Sequence, residues 1–383
     1  MPRYIDTQQK FEELIRELKG SSVLCIDTEF MREKTYYAKL CLVQINNGSI
    51  QALIDAIQIE DLTPLAQLLT DENIVKVFHA GSQDIEVLYY ATGVVPKNVF
   101  DTQIAAAVLG YQLQIGYGPL VLSVCNVSLP KAHGYTDWAR RPLTGAQQKY
   151  AIDDVTYLLD VYRELESKLE KKGRASWLKA DFEHLCNTSR FISDPRNMFE
   201  HVKHIGSLNR RQLAIAREVS AWRELEAQRL NKPRRWVLPD EAVIEISRKA
   251  PNSREALMEI RGLEGHLNKK QVKRILDCVV LGKKIPECEL PRIKNKNRKG
   301  EPKVDAVINM MAALVDLRAR ENNVAPQALA SRDELAKLAH GHKNESTLLQ
   351  GWRKEMIGSE LCKLLDGNIA LKVCDGDICA VKN

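Results

Sequence analysis

The chain has 383 residues, 44% of them hydrophobic and 28% charged, with a formal net charge of +6. That length predicts two or three soluble domains rather than one core, no apolar run approaches the ~20 residues that span a bilayer, and the N-terminus Met1-Pro-Arg-Tyr-Ile-Asp6 lacks the apolar core of a secretion signal. Nine cysteines stand singly with no Cys-x-x-Cys pair, which fits a reducing cytoplasm and speaks against a disulfide framework or a zinc site.

Residues 7–19 read as an amphipathic helix, with Phe11, Leu14, Ile15 and Leu18 on one stripe and Gly20 as its stop. Residues 23–30, Val-Leu-Cys-Ile-Asp-Thr-Glu-Phe, form a buried strand. Two more strands at 38–46 and 49–54 are joined by Asn47-Gly48, a hairpin signal. A helix at 62–69, a strand at 74–78, a helix from 82 to 90, a strand at 99–101 and a helix at 102–109 follow. Strands that first pair as a meander and then alternate with helices predict an α/β domain with a mixed sheet. A long helix at 147–172 carries the stripe Val155, Leu158, Leu159, Tyr162, Leu165 and Leu169. A helical connector then runs to about residue 200, with a break at Ser193-Asp194-Pro195.

From about residue 207 the pattern changes to compact helices at 210–230, 239–247, 254–260 and 268–281. Residues 291–300 form a linker with five positive and no negative side chains. Residues 304–366 resemble a second copy of the helical unit: at an offset of 93, Pro233, Asp240 and Glu241 fall on Pro326, Asp333 and Glu334. Charge divides along the same lines. Lys and Arg number 21 against 26 Asp and Glu in residues 1–200, 24 against 12 in 201–300, and 11 against 12 in 301–383. An acidic segment followed by a basic one suggests catalysis in the first and polyanion contact in the second.

Three stretches carry chemistry. Asp27 and Glu29 lie two apart at the end of an apolar strand, so they point the same way. Two like charges there need a bound cation, a proton on one acid, or a basic neighbour. Asp84 falls in the first helical turn after the strand that ends at His79, where it either joins such a site or complements the helix dipole. Tyr150 and Asp154 are i and i+4 on one helix face, with Asp153 expected on the solvent side; Asp154 can equally be an exposed acid or pair with Lys149. Taken together, four carboxylates without clustered Cys or His point to Mg²⁺ or Mn²⁺ rather than zinc, and suffice for two ions in an in-line displacement at phosphorus. Tyr150 would orient the attacking water; an ordinary phenol, near pKa ~10, is a poor base at neutral pH.

Asp27-Thr-Glu29, Asp84 in a His-Ala-Gly-x-x-Asp setting and Tyr150-x-x-x-Asp154 resemble the three motifs of the tyrosine branch of the DEDD exonuclease superfamily. Trp138-Ala-Arg-Arg-Pro-Leu-Thr144 resembles the ribonuclease D family, and the basic helical unit resembles its helicase-and-RNase-D C-terminal (HRDC) domain. The resemblance implies a ribonuclease H-like mixed-sheet exonuclease domain at 1–190, a connector at 191–207, an HRDC domain at 208–288, a basic linker at 289–302 and a second, degenerate HRDC-like helical domain at 303–383. It implies a cytoplasmic monomer that uses two Mg²⁺ or Mn²⁺ ions to hydrolyse single-stranded RNA from the 3′ end, releasing 5′-nucleotides. Its partners would be tRNA precursors and other small structured RNAs with 3′ extensions. A DNA-directed exonuclease and a non-catalytic binding protein are the alternatives; no Walker loop, polymerase motif or helicase motif supports a larger machine.

Further residues are candidates for RNA contact. Gln44 and His79 flank the site and either touch substrate or are satisfied within the core. Phe30 and Met31 pack against a terminal base or belong to the core. Arg140 and Arg141 precede the Tyr150 helix and suit backbone phosphate. Arg234, Arg235 and Trp236 put two charges beside an aromatic, a pattern for single strands, with a core anchor as the equal alternative for Trp236. Lys269, Lys270, Lys273 and Arg274 form a basic face, for RNA or merely solvated.

Overall fold

A computed structural model of the chain describes residues 2–130, 136–263, 267–293 and 302–383. Six strands form one sheet: β1 (Arg3–Ile5), β2 (Val23–Met31), β3 (Lys39–Asn46), β4 (Gln51–Ile54), β5 (Val75–Phe78) and β6 (Val99–Asp101), in the order β1-β4-β3-β2-β5-β6. β3 and β4 are antiparallel, with Val43 opposite Ile54 and Asn46 opposite Gln51. The turn between them closes as Asn47 Oδ1 accepts from the amides of Ser49 and Ile50 at 3.0 and 2.7 Å, while Gly48 takes a φ of 91° that a side chain would oppose. The pairs β1–β4, β2–β5 and β5–β6 are parallel. This mixed sheet is the architecture that the strand and helix order predicts.

The helices of this part are α1 (Gln8–Leu18), α2 (Thr63–Thr70), α3 (Ser82–Thr92), α4 (Thr102–Val108), α5 (Tyr117–Cys125), α6 (Gly145–Thr156), α7 (Leu158–Lys171) and α8 (Lys179–Leu185). α1 starts on the Thr7 side chain and buries Phe11, Leu14, Ile15 and Leu18. The predicted long helix is two helices, broken at Tyr157. Buried positions continue on both sides of the break, so apolar periodicity runs through it unmarked. β1 and α5 have no counterpart in the sequence reading. β1 is three residues with only Ile5 buried, and α5 opens on Tyr117-Gly118-Pro119, which reads as a turn.

The chain forms two compact units. One holds residues 1–30, 40–187 and 297–383; the other holds 31–39 and 188–296. The second unit is built on α9 (Arg210–Leu230), α10 (Arg234–Val237), α11 (Asp240–Lys249), α12 (Arg254–Met258) and α13 (Lys269–Lys284). Leu213, Val219, Val243, Ile246, Leu257, Ile275 and Val279 lie in its core.

Residues 297–383, read from the sequence as a second helical domain, cluster with the sheet. Arg174 donates to the carbonyls of Val108 at 2.7 Å and Asn322 at 2.5 Å, the Ala325 amide donates to Ala107 O at 2.8 Å, and Trp177 stacks on Trp352 at 4.6 Å. Within this segment α14 (Pro302–Asn322), α15 (Pro326–Leu329) and α16 (Arg332–Ala339) repeat the order of α9, α10 and α11. It ends in an antiparallel hairpin, β7 (Ile369–Cys374) with β8 (Asp377–Lys382), where the sequence pattern predicts helices alone. Most of the predicted basic linker, at 294–301, lies outside the described residues. No helix among the described residues is long and apolar enough to cross a membrane.

Candidate active site

β2 enters the sheet through Leu24, Cys25 and Ile26, all buried, and reaches Asp27 and Glu29 near its end. Beside it, β5 runs into the His79-Ala80-Gly81 turn. A Cβ on Gly81 would lie 2.4 Å from Phe78 Cβ, so the close approach requires glycine. Asp101, 1% exposed, ties this turn down: it accepts from the Gly81 amide at 2.8 Å and caps α4 through the amides of Gln103 and Ile104 at 2.9 and 3.1 Å. Asp84 then falls in the first turn of α3. α6 opens on a Thr144–Gln147 capping box and carries Tyr150 and Asp154 one turn apart.

Three of these acids converge. One carboxylate oxygen from each of Asp27, Glu29 and Asp154 lies within 4.8 Å of the other two. Asp84 stands beside them, its Oδ1 accepting from Thr28 Oγ1 at 2.5 Å. Burial is the largest influence on all four. It pushes Glu29 up to about 8, with Asp154 and Asp84 adding to the shift, and Asp154 up to about 7, with Asp153 and Asp84 adding. Asp84 rises to about 6, restrained by the Thr28 hydrogen bond. Burial and then Asp84, Asp154 and Glu29 drive Asp27 well above the ordinary carboxylate range. Like charges so close favour protonated forms until a cation neutralises them. An oxygen-only donor set of this size fits a hard divalent cation.

Tyr150 is hydrogen-bonded to Asp154, and burial followed by the charges of Asp154, Glu29 and Asp27 raises its phenol. It therefore stays protonated at neutral pH and acts as a hydrogen-bonding group rather than as a base. Trp138, 8% exposed, lies with its ring 6.1 Å from that of Tyr150.

The structure distributes the other predicted residues differently. Asp153, expected on the solvent side, is 7% exposed and paired with Lys149 at 2.5 Å. Ala151, Ile152, Asp153 and Val155 are buried in α6, Asp154 is half-buried among the other acids, and Lys149 is engaged by Asp153. Phe30 and Met31 are half-buried immediately beyond Glu29. His79 is committed inside the protein: Nε2 donates to Ile115 O at 3.0 Å, Nδ1 faces Thr102 Oγ1 at 2.9 Å, and burial lowers its pKa to about 4. Gln44 is fully buried, and neither of its amide atoms has a hydrogen-bond partner among the described residues.

Arg140 is exposed. Arg141 has all five donors in use: Nε and Nη2 on Asp55, Nη2 also on Cys41 O at 2.9 Å, and Nη1 on Trp138 O at 2.7 Å and Arg140 O at 2.9 Å. That guanidinium holds the 138–141 segment to the sheet instead of presenting itself to phosphate. In the helical unit Arg235, Trp236, Lys269 and Lys270 are exposed, whereas Arg234 is ion-paired with the fully buried Glu224. Sequence reading missed Thr28, Asp101 and Tyr117, which ring the site. Tyr117 donates to Asp153 O at 3.2 Å and faces the His79 ring at 5.5 Å. Of the three only Asp101 had a signal, as an Asp directly before a predicted helix.

Residues 2–170 match the 3′-5′ exonuclease family and residues 212–279 match the HRDC domain. Over 97% of its length the chain is 37% identical to ribonuclease D of Granulibacter bethesdensis, and likewise 39% identical to that of Gluconacetobacter diazotrophicus, covering 94% and 95% of those proteins. The crystal structure of Escherichia coli RNase D, described as an exoribonuclease involved in structured RNA processing, is similar at a TM-score of 0.81 and 30% identity, over 96% of this chain and 99% of that one. With an acidic cluster at the sheet and relatives matched nearly end to end, the chain belongs to the ribonuclease D family of 3′-to-5′ exoribonucleases.

Proposed function

We propose that Asp27, Glu29, Asp84 and Asp154 hold two divalent ions, Mg²⁺ or Mn²⁺, and that the protein trims single-stranded 3′ ends of tRNA precursors and other small structured RNAs in the cytoplasm, as a monomer, releasing 5′-nucleotides. The observation that carries this reading is the convergence of Asp27, Glu29 and Asp154 oxygens within 4.8 Å, with each acid pushed toward its protonated form. Ions bound there would supply an acidified attacking water and neutralise charge on the leaving oxygen.

The chain's own residues do the rest. Tyr150, protonated and hydrogen-bonded to Asp154, orients the attacking water. Thr28 holds the Asp84 carboxylate in place, and Phe30 and Met31 form an apolar edge for the terminal nucleotide. Arg140, Arg235, Trp236, Lys269 and Lys270 are the exposed groups offered to RNA. In this reading residues 1–190 are the catalytic domain, 208–288 the HRDC domain and 303–383 a degenerate second copy. The element order shared by α9–α11 and α14–α16 supports that division.

The test is digestion of one single strand labelled at its 3′ or its 5′ end, with metal and with chelator, and the same sequence as DNA. The reading expects a labelled mononucleotide from the 3′-labelled RNA, a shrinking ladder from the 5′-labelled RNA, and no reaction in chelator. A preference for DNA would overturn the RNA assignment.

A further inference from the structure

The helical unit contains a groove of about 670 Å³ that joins two stretches far apart in sequence: residues 32–36, and residues 233–240 with Met198, His201 and Arg223 behind them. One wall is internally complete. Tyr36 hydrogen-bonds Glu224 through its hydroxyl, the amides of Tyr36 and Tyr37 donate to Asn231 Oδ1 at 3.1 and 3.0 Å, and Arg234 is paired with Glu224 while its guanidinium lies 5.0 Å from the Tyr36 ring centre. Here acid, cation, phenol and backbone satisfy one another.

The facing wall is not complete. Trp236 leaves 61% of its surface in solvent. Among the described residues Arg235 makes only long ion pairs, 3.9 Å to Asp240 and 3.6 Å to Glu241. Arg223 is 3% exposed and donates from Nη1 to Leu238 O at 3.0 Å and to Asp240 at 2.7 Å, yet its Nε has no hydrogen-bond partner among the described residues. A buried guanidinium N–H without an acceptor and an exposed indole are each unfavourable alone. One ligand would relieve both, if it offered an anionic oxygen beside a flat aromatic ring.

We propose that this groove holds one unpaired nucleotide of the RNA substrate, upstream of its 3′ end, with the base on Trp236 and the phosphate on Arg235 and Arg223. The proposal rests on the reading of RNA as substrate. The volume is that of a small-molecule site, room for a nucleotide and not for a duplex, and stacking on an indole requires a base splayed out of a helix. The groove's edge is the chain that continues β2. Arg32 follows Glu29 by three residues, so at most about 11 Å of extended backbone separates them.

The experiment uses the full chain in chelator, so that binding is read without turnover. Fluorescence anisotropy is measured with 5′-labelled single-stranded oligoribonucleotides from two to about twelve nucleotides, the range over which single-strand sites fill. Wild-type affinity should climb with length and then level off. Trp236→Ala should remove roughly 5- to 100-fold of that climb, Trp236→Phe should restore most of it, and Arg235→Gln should lower the salt slope by about one. An equal loss at every length, no loss, or a failure of phenylalanine to rescue overturns the proposal, as does undiminished competition by a blunt duplex. Because no cleavage is required, a protein that bound the ladder as expected but cut only DNA would overturn the RNA assignment and leave the groove standing.

Discussion

Glu224 and Glu29 are both withdrawn from water, and they end at opposite extremes. Glu224, in the helical unit, is fully buried, yet its pKa is lowered: burial opposes the charge, and hydrogen bonds from Arg234, Tyr36 and Gln228 outweigh it. Asp55 in the sheet unit repeats the pattern, with Arg141 and Tyr4 overcoming burial. Glu29 rises to about 8: burial is the largest cause, and instead of cations to offset it the neighbours that act on it are Asp154 and Asp84, which add to the rise. The protein therefore has the means to neutralise a buried carboxylate and uses them where an acid serves the fold. At Asp27, Glu29, Asp84 and Asp154 it gathers acids instead, and charge balance must come from outside the chain.

The contrast can be broken at several points. Asp27→Asn removes one of the proposed ion ligands and should cost roughly 10³-fold or more in turnover, while RNA affinity in chelator survives. Turnover per bound substrate at the wild-type level would remove Asp27 from the chemistry. Arg234→Gln attacks the compensated side and leaves Glu224 buried without its guanidinium, for a loss of about 3 kcal/mol of stability in denaturant unfolding. An unchanged midpoint would mean that Tyr36 and Gln228 suffice. Tyr150→Phe should lower kcat by roughly 10²-fold with little change in KM, and a wild-type rate would leave the phenol without a role.

The pH dependence sharpens the same comparison because the two kinds of acid carry opposite signs. Glu29, Asp154 and Asp84 titrate near 8, 7 and 6 in the folded chain and near ~4 when unfolded. The folded state therefore holds the extra protons between those values, and their contribution to stability is lost as pH rises through them. Glu224 and Asp55, depressed in the folded state, lose theirs only as pH falls toward acid. In chelator, Tm should fall between about pH 5.5 and pH 8, and Mg²⁺ or Mn²⁺ should raise Tm more at the higher pH. An equal metal effect at both pH values would contradict the assignment. The smallest effect is expected from Lys269→Gln with Lys270→Gln, which should lower the salt slope of RNA binding by about one per lost phosphate contact. Point changes are preferable here to truncation after residue 200, which would also strip α14 and the contacts of Arg174 and Ala107.

Much of this was legible in the sequence because it is local. Asp27 and Glu29 share a strand face, Tyr150 and Asp154 share a helix face, and the α1 stripe and the Asn47-Gly48 turn depend on neighbours only a few residues away. What stayed hidden depends on partners far along the chain. Arg141 looked available for phosphate until Asp55, 86 residues earlier, took its donors. Asp153 looked exposed because its cover includes Tyr117, 36 residues earlier, which donates to its carbonyl. Arg234 and Trp236 read as parts of one stretch for RNA contact, yet Arg234 faces a buried acid and Trp236 faces water.

The nine residues 31–39 belong by packing to the helical unit, although they run from the last residue of β2 to the first of β3. The helical unit is thus not a bead that can be cut off at a single peptide bond. Anyone transplanting this HRDC module onto a foreign nuclease would have to bring that excursion along, or supply a host loop able to satisfy Asn231 and Glu224 in its place.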